Sequence, residues 1–371
     1  MNLEIDSETQ ALLEKYGFDR PLFESLRGRL LASELTVEAN RLRVPVEPLQ
    51  PTDVRPLPGS HDRARQPLDA SGRAALRAGQ VGCVVLAGGM ATRFGGVVKA
   101  AVDALPGRSF LDLKLADIRR VARELGTSIP VYLMSSFATH ADLLTMAKQA
   151  QSDEAPIEVF PQFVSLRLAL DGSLFRGNDQ RPSPYAPGHG DLSFALRRAG
   201  VLERFYKRGG RVLTVSNVDN LGATLDPAVI GAHLGTSSEM TIEVGRRTPG
   251  ERGGIPGRVE GKLQIIEDFR LSETFDPESV PYFNTNTFVL DATALDTDFP
   301  LSWFVVRKRV DGREAIQFEH LVGQLSAFLS CTCLEVARDG QDGRFQPVKD
   351  PEELALRRPE IERVLRARGV I

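Results

Sequence analysis

The fold of this chain is decided by one stretch, Val81-Gly82-Cys83-Val84-Val85-Leu86-Ala87-Gly88-Gly89-Met90-Ala91-Thr92-Arg93-Phe94-Gly95-Gly96. Its apolar first half predicts a buried strand of a parallel sheet. The glycine pair that follows lets backbone N–H groups approach an anion closely, because no Cβ stands in the way. Arg93 adds a forked positive charge that suits phosphate. The stretch predicts a phosphate-binding loop; the plainer alternative is a tight turn with a surface arginine.

The glycine loop lacks the Gly-Lys-Ser/Thr ending of a Walker loop and the Gly-x-Gly-x-x-Gly pattern of dinucleotide-binding proteins. It resembles the Leu-x-Gly-Gly-x-Gly-Thr-Arg loop of sugar nucleotidyltransferases, with Ala91 where a third glycine usually stands. That family's Pro-Lys pair corresponds here to Val98-Lys99, one residue closer to the loop. The resemblance implies that Lys99 is a phosphate ligand.

Composition limits the possible classes of function. The chain has 371 residues, enough for a sizeable core, and its net charge of −3 argues against nucleic acid as the main partner. No apolar run is as long as a transmembrane helix and no signal peptide is evident, so we expect a cytoplasmic protein with no membrane partner. Its cysteines lack metal-ligand spacing and are too few for a disulfide framework.

Strands and helices alternate through the middle of the chain. Helices are expected over 110–125, 139–150, 192–206 and 226–234, and strands over 129–134, 157–160 and 211–216. This alternation predicts an α/β fold with a mainly parallel sheet and helices on both faces. Later segments alternate in polarity (240–244, 258–267 and 283–290), which predicts antiparallel strands added at one end of the sheet. A helix is expected over 315–329.

Ligands of open α/β sheets bind at the carboxyl ends of the strands. Besides the glycine loop, Pro161-Gln162 and Asn217-Val218-Asp219-Asn220 follow predicted strands. Asp219, placed directly after an apolar strand, could hold a hard cation that also touches phosphate oxygens. The alternative is that Asp219 caps a turn. We favour the metal site because a phosphate loop is predicted beside it.

Polar residues elsewhere add further candidates. His189 lies between two glycines before a predicted helix and could donate to a ligand phosphate, whereas the other histidines are interpreted as structural. Asn284 and Asn286 share one face of a predicted strand, and amides suit sugar hydroxyls, although an asparagine-rich edge strand is equally compatible. Glu267 could accept from a sugar hydroxyl or lie on the surface. From the residues alone, Lys349 is compatible with a solvated charge.

Taken together, the sequence resembles the UDP-glucose pyrophosphorylase group of UDP-sugar pyrophosphorylases, from about residue 75 to 355. The matching segments are LAGGMATRFGG, SFLDL with PVYLMSSF, VFPQF, APGHGD, SNVDNLGATLDP, IEVGRRT, EGKLQIIED, FNTNTF, AIQFEHLVGQLSAF and RFQPVK. The resemblance implies a Rossmann-like nucleotide-diphospho-sugar transferase (GT-A-like) fold. It also implies a uridylyltransferase that forms UDP-glucose and pyrophosphate from UTP and glucose 1-phosphate.

Two alternatives stay open. The lead-in GRAALRAGQVGCVVLAGG is more similar to UDP-N-acetylhexosamine pyrophosphorylases, so the sugar could be N-acetylglucosamine 1-phosphate or one of several. An inactive regulatory or binding protein on the same fold is the other alternative. Ala91 and the shortened spacing to Lys99 favour it, while the presence of Asp219 and Lys349 argues against it.

The resemblance also assigns a role to each candidate residue. It implies the nucleotide loop for Gly88, Gly89 and Arg93; uracil binding for Gln162 and Gly188; phosphate and sugar contacts for His189 and Asn217; Mg²⁺ for Asp219; sugar hydroxyls for Glu267 and Asn284; and a bridge between the phosphates of both substrates for Lys349. Arg93, Lys99 and Lys349 would then neutralise the charge of the reacting phosphates.

The same resemblance suggests how the chain is divided. We expect a helical and proline-rich segment over 1–78, the catalytic domain over 79–350 and a short C-terminal helix over 351–371. Members of the group usually carry a C-terminal β-helix that mediates oligomers, and few residues follow Lys349. No β-helix is therefore expected, and the chain should be a monomer or a small, weak oligomer.

Overall fold

The computed structural model describes residues 4–248, 250–251 and 253–371. Its α-helices are, in chain order, α1 (Ser7–Lys15), α2 (Arg20–Leu31), α3 (Arg65–Arg77), α4 (Phe110–Leu125), α5 (His140–Gln149), α6 (Leu192–Arg198), α7 (Val201–Lys207), α8 (Pro227–Leu234) and α9 (Pro351–Ala367). Short 3-10 helices that matter below are Lys99–Ala101, His189–Asp191 and Val322–Ala327.

The strands are, in chain order, β1 (Val54–Pro56), β2 (Val81–Leu86), β3 (Met90–Ala91), β4 (Val97–Val98), β5 (Asp103–Leu105), β6 (Arg108–Ser109), β7 (Val131–Ser135), β8 (Ile157–Pro161), β9 (Ser165–Leu166), β10 (Pro184–Tyr185), β11 (Val212–Asn217), β12 (Met240–Arg246), β13 (Ile255–Val259), β14 (Lys262–Ile266), β15 (Tyr282–Asp291), β16 (Phe304–Val310), β17 (Arg313–Glu319) and β18 (Cys331–Glu335).

Within the described residues, eight strands form the central sheet in the order β1-β18-β12-β15-β11-β2-β7-β8. Only β15 runs antiparallel to its neighbours in this sheet; the other adjacent pairs are parallel. Antiparallel hairpins accompany the sheet, which confirms the predicted fold class. Because β15 is reversed, its amino-terminal half lies at the same edge as the carboxyl ends of the parallel strands.

Side chains of β2 show why this strand is central. All its residues are buried, and Cys83 and Val85 face one side of the sheet while Val84 and Leu86 face the other. The first side packs with α3, α4, α8 and α9, and the second with α6, α7 and the 3-10 helix Val322–Ala327. Helices on both faces thus bury the apolar run, as predicted.

The N-terminal helices form a separate small core. Leu13 of α1 and Phe23 of α2 belong to one buried cluster with Leu166, Ile316 and Phe318. The helical prediction for this segment is confirmed, whereas the division of the chain at residues 78 and 350 stays a prediction. No helix in the described parts of the chain is both long and apolar enough to cross a membrane.

Two local predictions are wrong, and one predicted helix is interrupted. The helix expected over 315–329 is replaced by β17, which pairs with β16 along its whole length, followed by a 3-10 helix. The strands β12 and β15 lie inside the central sheet and are not added at its end; of the three predicted additions, only the hairpin β13–β14 stands apart. The helix expected over 192–206 is divided into α6 and α7, because Gly200 between them is left-handed at φ +67°.

Candidate active site

The glycine loop lies against the residue that follows β8. A Cβ atom on Gly88 would stand 2.9 Å from Gln162 Nε2 and 3.1 Å from the backbone nitrogen of Ser136, so a side chain there would displace Gln162. Gln162 is buried, and its backbone N–H donates to the Ser135 carbonyl at 2.8 Å. A Cβ on Gly89 would meet nothing within 4 Å. The loop therefore packs closely at Gly88 and presents an open backbone at Gly89.

Lys99 and Asp219 form an ion pair at the mouth of this loop. The Lys99 ammonium lies 2.5 Å from Asp219 Oδ2, and both side chains are largely buried. The Lys99 backbone N–H donates to the Gly89 carbonyl at 3.2 Å. Asp219 is held from the other side, because the Val218 N–H donates to the Leu86 carbonyl at 3.2 Å. Two residues predicted for different ligands thus meet between β2 and β11.

The donor set near Asp219 limits how a metal could bind. Across 4–248, 250–251 and 253–371, no three or more His, Cys, Asp or Glu side chains group as metal ligands. Mg²⁺ usually takes one or two carboxylates together with water and substrate phosphates. A single carboxylate beside an anion-binding loop fits that arrangement when phosphates complete it. Asp219 therefore suits a cation that also binds a nucleotide.

Three asparagines are joined across the sheet edge. Asn286 Nδ2 donates to Asn217 Oδ1 at 2.9 Å, and the Asn286 backbone N–H donates to Asn284 Oδ1 at 2.9 Å. Asn286 has a left-handed backbone at φ +56°, and the register of β12 and β15 shifts at this point. Such a bulge redirects side chains. It connects Asn217 with Asn284, and Asn286, which the sequence offered beside Asn284 as a candidate for sugar hydroxyls, is the link between them.

Gly254 lies between Glu267 and Asn284. The Asn284 N–H donates to the Gly254 carbonyl at 2.7 Å, and a Cβ on Gly254 would stand 3.0 Å from Glu267 Oε1. Burial raises the pKa of Glu267 above its ordinary value, and the Arg270 guanidinium partly opposes this rise. The Glu267 carboxyl group and the Asn284 backbone therefore both lie beside Gly254.

His189 is fixed as a neutral donor. Its Nδ1 accepts from the Val322 backbone N–H at 2.9 Å, so the proton of the neutral ring is on Nε2. Burial, together with the charge of nearby His320, lowers the pKa of His189 to about 4. At neutral pH the ring can therefore donate one hydrogen bond from Nε2 without carrying a charge.

Position 188 requires glycine for a steric reason. Its φ is +112°, and a Cβ there would stand 2.6 Å from the His320 carbonyl oxygen. This close approach holds the Gly-His-Gly segment against the end of β17.

The glycine loop also faces the C-terminal segment. Arg93 Nη1 lies 3.9 Å from Asp350 Oδ2, which is one residue beyond Lys349. The Lys349 backbone N–H donates to Glu353 Oε2 at 2.7 Å, and Asp350 caps α9. The Lys349 side chain is exposed, and its ammonium makes no hydrogen bond or ion pair with any residue that the structure describes. Its role toward the phosphates stays a prediction from resemblance.

A residue that sequence reasoning passed over fixes the C-terminal segment. Asn220, which is buried, accepts from the Gln346 N–H at 2.8 Å and donates to the Arg344 carbonyl at 3.2 Å. Arg344 in turn makes a bidentate pair with buried Glu243, at 2.6 and 2.7 Å. The turn carrying Asp219 is thereby tied to the segment leading to Lys349. The signal was present, since Asn220 belongs to the strand-end motif.

Lys114 is a second residue that was not predicted. Its ammonium is buried beneath the sheet edge and donates to Ser216 Oγ at 3.1 Å and to the Ala223 carbonyl at 2.7 Å. Burial lowers the pKa of Lys114 to about 8. A lysine on the apolar stripe of a predicted helix was the available signal.

The sheet order and the strand-end loop define an α/β protein whose candidate ligand site lies at the carboxyl edge of a mostly parallel sheet. The chain belongs to the UTP--glucose-1-phosphate uridylyltransferase family, whose model matches residues 39–363. This finding confirms the resemblance to UDP-glucose pyrophosphorylases.

Individual relatives of known name share less than a third of their aligned residues with this chain. The UTP--glucose-1-phosphate uridylyltransferase of Astragalus penduliflorus is 29% identical over 287 residues, which cover 73% of this chain and 60% of that protein. The Hordeum vulgare enzyme of the same name is 28% identical over 357 residues, 90% of this chain and 72% of that protein. The fold is similar to the uridine diphosphate N-acetylglucosamine pyrophosphorylase from Trypanosoma brucei, with a TM-score of 0.75, 20% identity, and coverage of 95% of this chain and 79% of that one. The chain thus spans about 60% of the length of the Astragalus protein.

Proposed function

We propose that the chain transfers a uridylyl group from UTP to a sugar 1-phosphate, with glucose 1-phosphate as the preferred acceptor. The observation that supports this most strongly is the Lys99–Asp219 pair, 2.5 Å apart at the mouth of an open glycine loop. It places a cation for phosphate and a carboxylate for a metal ion at one point. A sugar-phosphate oxygen attacks the α-phosphorus of UTP, the bond to the bridging oxygen breaks, and pyrophosphate leaves with that bond's electron pair.

The charges present in the site match what this reaction needs. The attacking phosphate is already ionised at neutral pH, so the site requires orientation and charge neutralisation and needs no general base. Lys99, Arg93 and Lys349 are the cations we assign to the phosphates. When bound on Asp219 and phosphate oxygens, Mg²⁺ supplies additional positive charge.

Recognition of the base is assigned to Gln162 and Gly188. A buried carboxamide can both donate to and accept from the uracil edge, and a site with buried polar groups rejects a base that leaves them unpaired. We assign the sugar hydroxyls to Glu267 and Asn284, and a neutral donor role toward phosphate or sugar to His189. Asn217 is held by Asn286 toward the same ligand.

The reducing cytoplasm is the compartment we propose for this reaction. The chain's three cysteines, Cys83, Cys331 and Cys333, are all free thiols and are too few for a disulfide framework. Secretion of the active chain from its natural host would contradict this assignment.

The test is pyrophosphate release by the purified full chain. UTP should be combined in turn with glucose 1-phosphate, N-acetylglucosamine 1-phosphate and galactose 1-phosphate, with and without Mg²⁺. We expect release only when a sugar phosphate and Mg²⁺ are both present, fastest with glucose 1-phosphate, and at least tenfold slower with ATP or dTTP. A faster reaction with N-acetylglucosamine 1-phosphate would change the sugar assignment. No release with any sugar would favour an inactive binding protein.

A further inference from the structure

We propose that His320 is a positioning residue for the uracil side of the site, acting through Asp191. The inference rests on the proposed function, because it assigns His320 to the half of the site that binds UTP. The clamp consists of the His320 imidazole, the Asp191 carboxylate and the backbone N–H of Phe163.

The side-chain contacts of the clamp are short and buried. His320 Nε2 lies 2.5 Å from Asp191 Oδ1, and the Phe163 N–H donates to Asp191 Oδ2 at 2.9 Å. His320 and Asp191 are 4% and 2% exposed. Since a carboxylate only accepts, His320 Nε2 carries the proton of this bond. One carboxylate therefore joins the end of β17 to the residue after Gln162.

The backbone of the same residue holds the other uracil segment. The His320 N–H donates to the Pro187 carbonyl at 3.0 Å, and the His320 carbonyl accepts from the Gly190 N–H at 3.0 Å. These bonds enclose Gly188, whose α-carbon packs against the same carbonyl. Position 320 thus contacts the Gly188 segment through its backbone and is linked to the Gln162 segment by its side chain through Asp191.

Aromatic neighbours fix the imidazole in its orientation. Trp303 stacks on one side with ring centroids 4.2 Å apart and planes 18° apart, and Phe194 lies near-parallel at 6.2 Å. Trp303 is the only tryptophan of the chain. Its fluorescence can therefore report ligand binding next to the clamp without any turnover.

Removal of the His320 side chain should affect the binding of only one of the two substrates. Without the His320 donor, the buried Asp191 carboxylate keeps one hydrogen bond of two, and an undersatisfied buried carboxylate reorients or recruits water. Gln162 and Gly188 would lose their fixed spacing, whereas Glu267 and Asn284 are held by other contacts. The affinity for UTP should fall, and the affinity for the sugar phosphate should not.

The experiment compares His320→Leu, His320→Asn and His320→Gln with His233→Leu. A glutamine amide can reach Asp191 where an asparagine amide is too short. His233 is the matched control, since it is also buried and paired with a carboxylate, Asp291 at 3.3 Å, but lies at the opposite edge of the sheet. Binding of UTP is measured by calorimetry and Trp303 fluorescence, and KM and kcat are measured by pyrophosphate release.

We expect His320→Leu and His320→Asn to raise the Kd and KM for UTP at least tenfold. The KM for glucose 1-phosphate and kcat should stay within threefold of the parent, His320→Gln should recover most of the UTP affinity, and His233→Leu should bind UTP within twofold. If the leucine variant does not fold, the asparagine–glutamine comparison decides. Folded variants that bind UTP like the parent, equal losses for both substrates, or the same loss in His233→Leu would overturn the clamp.

A different measurement would refute the proposed function. If the parent binds UTP but transfers it to no sugar phosphate, the enzyme proposal falls, and the UTP affinities of the variants still decide the clamp. If the parent does not bind UTP, the proposed function and the clamp that rests on it are both refuted by the parent alone.

Discussion

Replacement of Lys349 by alanine should leave the fold intact and remove most of the activity. Its side chain is exposed, its ammonium has no partner among the residues described, and its backbone is held by Glu353 whatever the side chain is. Surface substitutions of this kind change stability by at most about 0.5 kcal/mol. The melting temperature of Lys349→Ala should therefore match that of the parent.

The expected effect on rate is much larger. Two charged phosphates must approach each other, and loss of one preorganised electrostatic contact costs roughly 3–4 kcal/mol, or about a hundred- to a thousandfold in kcat. Because Lys349 is exposed, part of its charge is screened by water, and Arg93, which lies 3.9 Å from the neighbouring Asp350, remains as a second cation. We therefore expect the lower end of that range, about a hundredfold.

The assay is turnover at saturating UTP and glucose 1-phosphate, with two controls. Lys349→Arg keeps the charge and should retain more activity than the alanine variant. Lys262→Ala removes an equally exposed lysine from the start of β14, and its turnover should equal that of the parent. A folded Lys349→Ala with kcat within threefold of the parent would remove Lys349 from the site.

Three further substitutions have distinct expected results. Asp219→Asn should lower turnover at least tenfold and raise the Mg²⁺ concentration needed for half-maximal rate; an unchanged Mg²⁺ titration would contradict the metal assignment. Gly188→Ala should lower the melting temperature by at least about 3 °C, because residue 188 has a φ of +112° and its Cβ would meet the His320 carbonyl. Gly89→Ala should melt like the parent but bind UTP more weakly. Melting temperatures measured with and without UTP test both variants. The pKa of His189 falls from 6.5 to about 4 on folding, so the unfolded chain is protonated first as the pH is lowered. The contribution of His189 to the free energy of unfolding is therefore full above pH 6.5 and declines toward pH 4 by up to about 1.4 kcal/mol per pH unit. His189→Asn should flatten this decline in melts across that pH range, and an unchanged slope would refute the shift.

The residues at the carboxyl ends of the parallel strands were predictable because each follows an apolar run in the sequence. An apolar run before Gly88, and others before Gln162 and Asn217, indicated strands whose carboxyl ends would meet. The structure places them on neighbouring or nearby strands of one sheet. The reversal of β15, which brings Asn284 to the same edge from its amino-terminal half, does not follow from period-2 patterning, since that pattern carries no direction.

The failed helix prediction over 315–329 has a specific cause. Phe318, Val322 and Leu325 recur at helical spacing, whereas Ile316 and Phe318 alternate as in a strand. The hydrogen-bond ladder with β16 decides the outcome, and that partner strand was not predicted. Local spacing cannot choose between the two states when the deciding contacts are tertiary.

Residues that contact a ligand and residues that hold others differ in how far sequence can predict them. Lys99 and Asp219 were each found from a strand end and assigned to separate ligands, a phosphate and a cation. Their pairing across 120 residues of chain could not be inferred, because it depends on where the two turns meet in space. The pairing nevertheless explains how both charges can be largely buried without ligand: each offsets the desolvation that would otherwise destabilise the other. Under the function we propose, a nucleotide phosphate and a metal ion together would replace both partners, whereas either alone would leave one buried charge unpaired.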